Sequence, residues 1–163
     1  MQGYKIKRIC KELSITASLL KKYTQFLINN NLIATIPYFF TDKERELSHQ
    51  EYIVITDMGI VSYMMDNYGS KLYDMITIKN FIYTELSKYI APDDRIMTYK
   101  KINNSDIDFV ILHSDESITP IVISQHNTAS IPKIYHSFHE NYQHRIRRYI
   151  KTTPLQREQG DFG

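Results

Sequence analysis

Three short runs rich in apolar residues, Ile96 to Lys100, Ile107 to Leu112 and Ile118 to Ser124, constrain this chain more than any other feature. The last two are dense in β-branched side chains and apolar at successive positions, so both faces of such a strand would have to be covered. Short polar segments separate the runs, which predicts an antiparallel meander. Helices must then supply the covering layers. One is predicted over residues 76 to 90, with Ile78, Phe81, Ile82, Leu86 and Tyr89 facing inward and Pro92-Asp93-Asp94 turning the chain after it. Another is predicted from about Ile131 to Lys151, where Ile134, Phe138, Tyr142 and Ile146 recur every fourth residue.

The first part of the chain has a different pattern. Ile6, Ile9, Cys10 and Leu13 define one face of a short helix, and Ser14 offers a break and a cap. A second helix follows from about Thr16 to Asn29, with Leu19, Leu20, Tyr23, Phe26 and Leu27 as its expected buried stripe and Lys21, Lys22 and Gln25 outward. Asn29-Asn30-Asn31 suits a helix exit, because asparagine tolerates the left-handed backbone. Leu32 to Ile36 and Tyr52 to Thr56 read as a hairpin across the polar loop 41–50, and a short apolar segment with Ile60, Val61, Tyr63 and Met64 follows. Helix, turn, helix and hairpin is the order of a winged helix lacking its usual first helix. The expected class is therefore α/β in the α+β sense: a truncated winged-helix module over 1–68, a small sheet flanked by helices over 69–153 after the Gly69-Ser70 break, and a polar tail over 154–163.

Charge placement bears on partners. Residues 1–25 carry Lys5, Lys7, Arg8, Lys11, Lys21 and Lys22 against Glu12, and residues 133–151 carry Lys133, Arg145, Arg147, Arg148 and Lys151 against Glu140. Since the whole chain is only +2, the stretch between these segments is acidic. Basic ends suit DNA. The commoner explanation of such runs is the solvated face of an amphipathic helix, and both readings stand. If the second helix enters a major groove, Ser18, Lys21, Lys22 and Gln25 are its contact residues, with Arg145 and Arg148 as a second basic set. The hairpin loop argues the other way, because Asp42, Glu44, Glu46 and Glu51 outnumber Lys43 and Arg45. Docking onto another protein, or onto a second copy, is then the competing use.

Several classes are set aside. One cysteine makes no disulfide framework and suits a reducing, cytoplasmic setting; no apolar run approaches the ~20 residues of a membrane helix. No Gly-x-x-x-x-Gly-Lys-Ser/Thr loop occurs, so ATP is not an expected ligand. His136, His139 and His144 lack a companion carboxylate or cysteine at metal-binding spacing and read as helix surface. Tyr23, Tyr89 and Tyr142 fall on the expected buried stripes and read as core rather than as base-stacking platforms.

The order of "ELSITASLLKKYTQFLINNNLIATIP", "YIVITDMGI", "NFIYTELSKY" and "SDIDFVIL" resembles the C-terminal region of many prokaryotic AAA-family ATPases. That region is a domain of unknown function joining a winged helix to a PD-(D/E)xK nuclease-like fold. The likeness covers about residues 4–151. It implies a restriction-endonuclease-like sheet in which carboxylates hold Mg²⁺ and a lysine polarises the attacking water. On that pattern Asp108 matches the first metal-binding carboxylate, but the glutamate-x-lysine of the next strand falls on Val122-Ile123-Ser124, and the helix glutamate position holds Lys79, before Asn80. Glu85 lies six residues further on. Asp108 and Glu85 are thus vestigial candidates and Asp108 the sole metal candidate, which predicts a non-catalytic accessory domain or remnant of an ATPase-associated protein. Mg²⁺ is expected only if a degenerate nuclease site still acts.

Overall fold

The computed structural model describes residues 6–39, 51–64, 66, 74–100, 106–124 and 133–153. It is an α+β fold: α1 (Ile6–Leu13), α2 (Ala17–Asn29), β1 (Ile33–Pro37), β2 (Glu51–Ile55), α3 (Met58–Met64), α4 (Met75–Tyr89), β3 (Arg95–Lys100), β4 (Asp106–Leu112), β5 (Ile118–Ile123), α5 (Lys133–Tyr142), a 3₁₀ turn at Gln143–Arg145 and β6 (Ile150–Thr152). Local chemistry sets several boundaries. The Thr16 hydroxyl accepts from the Leu19 N–H at 3.2 Å and the Asp74 carboxylate from Thr77 N–H at 2.7 Å, which caps α2 and α4. Ser14 breaks the chain before α2 at φ 53°, Thr16 rather than Ser14 being the cap, and Asn31 leaves α2 at φ 54°.

β3, β4 and β5 form the expected antiparallel meander. Its side chains sort onto two faces. Met97, Tyr99, Ile107, Val110, Ile118 and Val122 pack with Phe138 and Tyr142 of α5, while Ile96, Phe109, Ile111, Ile121 and Ile123 pack toward α4, where Ile78, Ile82 and Leu86 meet them. Phe138 lies edge-on to Tyr99 at 4.9 Å and tilted against Tyr142 at 4.6 Å, a geometry that aromatic quadrupoles favour. The result is a sheet between two helical layers.

Ile36, Tyr52 and Val54 of the β1–β2 hairpin belong to the same core as the α4 face of the sheet. After Pro37 the chain continues onto the outer edge of β3: Tyr38 bridges Thr98 in parallel, and Phe39 N–H donates to the Thr98 carbonyl at 2.7 Å. α4 completes the join, because the buried Asn80 side chain accepts from Ile55 N–H at 2.7 Å. One core therefore runs across the boundary expected at 68/69, which itself falls outside the described residues, as do the loop 41–50, the Gly69-Ser70 break and the tail 154–163.

Two expectations are corrected. The helix predicted from about Ile131 to Lys151 ends at Tyr142, and its start at 131–132 lies outside the described residues. Ile146 instead bridges Ile118, and Ile150–Thr152 pair in parallel with Ile121–Ile123. The outer edge of β5 needs backbone partners, and a helix would have left them unmet. Ile146 still packs on the α5 core, so its apolar spacing is satisfied by a different backbone. The parallel pairing lapses between Ile118 and Ile121, where Pro120 has no N–H to give.

The second correction concerns the helix stripes. On α2 only Leu20 is buried; Tyr23 is 55% and Phe26 60% exposed, and Leu19 is exposed as well. On α4, Phe81 and Tyr89 face outward although Ile78, Ile82 and Leu86 face the core. Of the three tyrosines read as core, Tyr142 alone is buried. Each stripe is wider than the surface available to cover it.

Phe109 is wholly buried at the centre of the sheet. Phe109→Ala should lower unfolding free energy by about 3–5 kcal/mol, read from urea denaturation followed by circular dichroism; a loss below about 1 kcal/mol would contradict this packing.

Candidate functional site

A β-bulge shapes the surroundings of Asp108. Met97 pairs with Val110 and Tyr99 with Ile107, so Asp108 and Phe109 together oppose Thr98. Regular alternation would send consecutive residues to opposite faces. Here Phe109 shares the α4 face, to which the Asp108 carboxylate also points. Asp108 is only 4% exposed. Its Oδ1 forms an ion pair with Lys79 Nζ from α4, and its Oδ2 accepts from the Ile123 backbone N–H at 2.7 Å. That second contact lies just beyond the last Cα pair of the β4–β5 ladder, Phe109 with Ile121, so the carboxylate takes over from a main-chain acceptor.

Two phenols feel this charge. Burial pushes the Tyr52 hydroxyl up to about 12, with Tyr38 and then Asp108 adding to the shift. Burial likewise raises Tyr149, reinforced by Tyr135, whose ring lies tilted against it at 4.1 Å, and by Asp108. The Tyr149 hydroxyl is enclosed and has no hydrogen-bond partner among the described residues. Asp108 thus sits between one cation and two protonated phenols, where a negative charge is held but is not offered to solvent.

The other sequence-predicted groups do not converge on it. Glu85 bonds Lys88 at 2.5 Å on the outer part of α4. Six residues at ~100° each place it about 240° round the helix from Lys79. Val122 and Ile123 are buried apolar side chains, and Gln125 and His126 lie outside the described residues. Among the described residues no three His, Cys, Asp or Glu side chains group as metal ligands. The position also fails a chemical test for Mg²⁺, which wants six oxygen ligands in a near-octahedral shell. Asp108 spends one oxygen on an ammonium and the other on an N–H donor, and neither of these partners is an oxygen ligand. His136, His139 and His144 are exposed, in keeping with helix surface and its following turn.

The basic residues fall into two unlike groups. Ser18, Lys21, Lys22 and Gln25 all lie exposed on one face of α2. Arg145 is engaged internally: its Nε donates to the Glu116 carbonyl at 2.9 Å and its guanidinium lies 5.7 Å from the Phe39 ring centre. Arg147 reaches Asp115 at 3.4 Å, and Arg148 is exposed on the strand-like segment after the 3₁₀ turn. Because α5 stops at Tyr142, the second basic set has no helical face.

Sequence reasoning passed over one constellation. His113 Nδ1 lies 2.7 Å from Asp94 Oδ2 and its Nε2 lies 2.9 Å from Thr119 Oγ1, while Asp94 Oδ1 accepts from Ser114 N–H at 3.2 Å. The order acid, imidazole, hydroxyl has the look of a nucleophilic relay. Thr119 is 1% exposed, so its hydroxyl cannot meet a substrate, and the trio instead ties the β4–β5 turn to the start of β3. No local pattern pointed to it, since its members come from three separate segments. Lys79 stands where the resemblance implies a glutamate, and its partner Asp108 lies 29 residues further along the chain, in β4.

No family model matches the chain, and neither the curated proteins nor the solved structures include a match.

His113→Ala should cost about 2 kcal/mol of stability, because a charged acceptor and a buried hydroxyl lose their partner; an unchanged denaturation midpoint would show that the trio contributes nothing. Tyr52 yields a pH prediction. Its folded pKa of about 12 exceeds the unfolded value of 10.0, so the stability it contributes is complete below pH 10 and is lost as pH rises through about 12. Tyr52→Phe should reduce the fall in melting temperature between pH 10 and 12.

Proposed function

We propose that this chain is a catalytically silent accessory module that engages DNA through α2. One observation carries the binding part: Ser18, Lys21, Lys22 and Gln25, at i, i+3, i+4 and i+7, share an exposed helix face while Leu20 holds the other side of α2 against the protein. A second helix offered in this way, followed by a hairpin, has the order of a winged helix docking in a major groove. In that pose Lys21 and Lys22 meet phosphates, Ser18 and Gln25 reach base edges, and Arg148 adds a peripheral contact. Arg145 is left out of this set because it already binds the Glu116 carbonyl. The silent part is supported by Asp108, whose oxygens are both taken up inside the protein. Attachment to an AAA-family ATPase, which the sequence resemblance suggests, belongs to the same proposal.

A second reading has its own support. Leu19, Tyr23 and Phe26 line the side of α2 next to the polar row, and Ile6 and Leu13 of α1 are exposed too. Clustered apolar exposure favours a protein partner, an ATPase or another copy of this chain, over the minor role that scattered surface apolar residues have.

Titrating a fluorescent DNA duplex at several salt concentrations with Mg²⁺ present separates these readings. DNA binding should weaken steeply with salt and leave the duplex intact. Lys21→Ala with Lys22→Ala should reduce the log–log salt slope by about 2, since each phosphate contact contributes ~0.9. No binding, together with concentration-dependent mass in sedimentation, would favour self-association instead. Cleavage abolished by Asp108→Ala would refute the silent reading.

A further inference from the structure

A carboxylate inside a fold is held by a bound metal, by a cationic side chain, by hydrogen-bond donors or by taking up a proton. Asp108 solves this with Lys79. The pair is enclosed, the Lys79 side chain being 15% and that of Asp108 5% exposed, and it joins two layers of the fold, α4 and β4. The next residue, Asn80, fastens the same turn of α4 to Ile55 in the β1–β2 hairpin, and its Nδ2 donates to the Ile76 carbonyl at 2.7 Å. Lys79 is thus aimed from a backbone held on two sides. A divalent ion entering here would have to displace the ammonium and strand it inside the protein. It would also find the Ile123 N–H, a donor, where it needs an acceptor.

We infer that Lys79 is a built-in replacement for a divalent cation: delivered from α4, its ammonium neutralises Asp108 and clamps helix to sheet in a form that neither binds metal nor needs it. The inference rests on the catalytically silent part of the proposed function and is independent of whether α2 binds DNA. A lysine is well suited to this. It carries a compact positive charge on a chain long enough to cross from helix to strand, and being covalent it occupies the position at every metal concentration. The disagreement with the Mg²⁺ site implied by the sequence resemblance then has a simple origin, since the helix position that should add a second carboxylate adds the counter-ion instead.

Thermal unfolding of the whole chain tests this without DNA. The wild type should melt at the same temperature in EDTA, in Mg²⁺ and in Mn²⁺; a saturable rise with Mn²⁺ that Asp108→Asn removes would overturn the inference. Lys79→Met leaves Asp108 buried and unpaired and should lower the melting temperature by about 10 °C. Lys79→Met with Asp108→Asn removes both charges and should recover much of that loss. Should Lys79→Met not fold, recovery of cooperative unfolding in the double variant supports the pairing, and continued failure counts against it. Lys79→Glu sets two carboxylates together without a counter-ion and should melt below Lys79→Met in EDTA; a Lys79→Glu that melts at the wild-type temperature would refute the replacement. Failure of DNA binding alone leaves all these outcomes unchanged, whereas Asp108-dependent DNA cleavage by the wild type would remove the silent reading and this inference together.

Discussion

A buried carboxylate is costly enough to organise what surrounds it, and Asp108 does so here. Its charge lies within a sheet whose other inward groups are almost all apolar, and it is matched by Lys79 on one oxygen and by the Ile123 N–H on the other. The first contact sets where α4 crosses the sheet. The second closes the end of the β4–β5 pairing. A pair of this kind contributes little or no net stability against an apolar alternative, yet removing either member leaves a charge without a partner. It acts as a constraint on arrangement more than as a source of energy. The bulge at Asp108 and Phe109 belongs to the same solution, because it lets the carboxylate and a wholly buried phenyl ring use one face of the strand.

From this point the remaining architecture follows by satisfaction of backbone groups. The β1–β2 hairpin is too small to be stable alone, and it gains a third contact through Asn80 on α4 and an edge contact where Tyr38 and Phe39 meet Thr98. At the far side of the sheet the segment after α5 gives up helical form to pair with β5. The first join makes one core out of two stretches of chain that look separable in sequence, and the second closes the sheet edge within the later stretch.

The surfaces left over carry the functional reading. α2 turns three different faces outward or inward: Leu20 and its neighbours hold it to the protein, a polar row with Lys21 and Lys22 faces solvent, and Leu19, Tyr23 and Phe26 are exposed between them. The polar row suits a phosphate backbone and the aromatic row suits a packed partner. With Asp108 and Lys79 paired inside, the proposed function rests on this exposed helix rather than on the interior.

Periodicity by itself located most of the helices and strands, since apolar spacing near 3.6 or a dense β-branched run is a local property: α1, α2, α4 and the β3–β5 meander all stood at or near their expected positions. Asp108 was singled out by the resemblance of its segment and not by any spacing of apolar residues. Tertiary structure alone decided the rest. How much of each stripe is covered depended on neighbouring elements, so Tyr23, Phe81 and Tyr89 ended outside while Tyr142 is buried. The segment after Tyr142 became a strand because β5 had an open edge, a fact no window of sequence contains. Lys79 became the partner of Asp108, and His113 that of Asp94 and Thr119, because ion pairs and hydrogen bonds depend on distance in space, and residues 29 or 19 positions apart along a chain carry no local signal that they will meet.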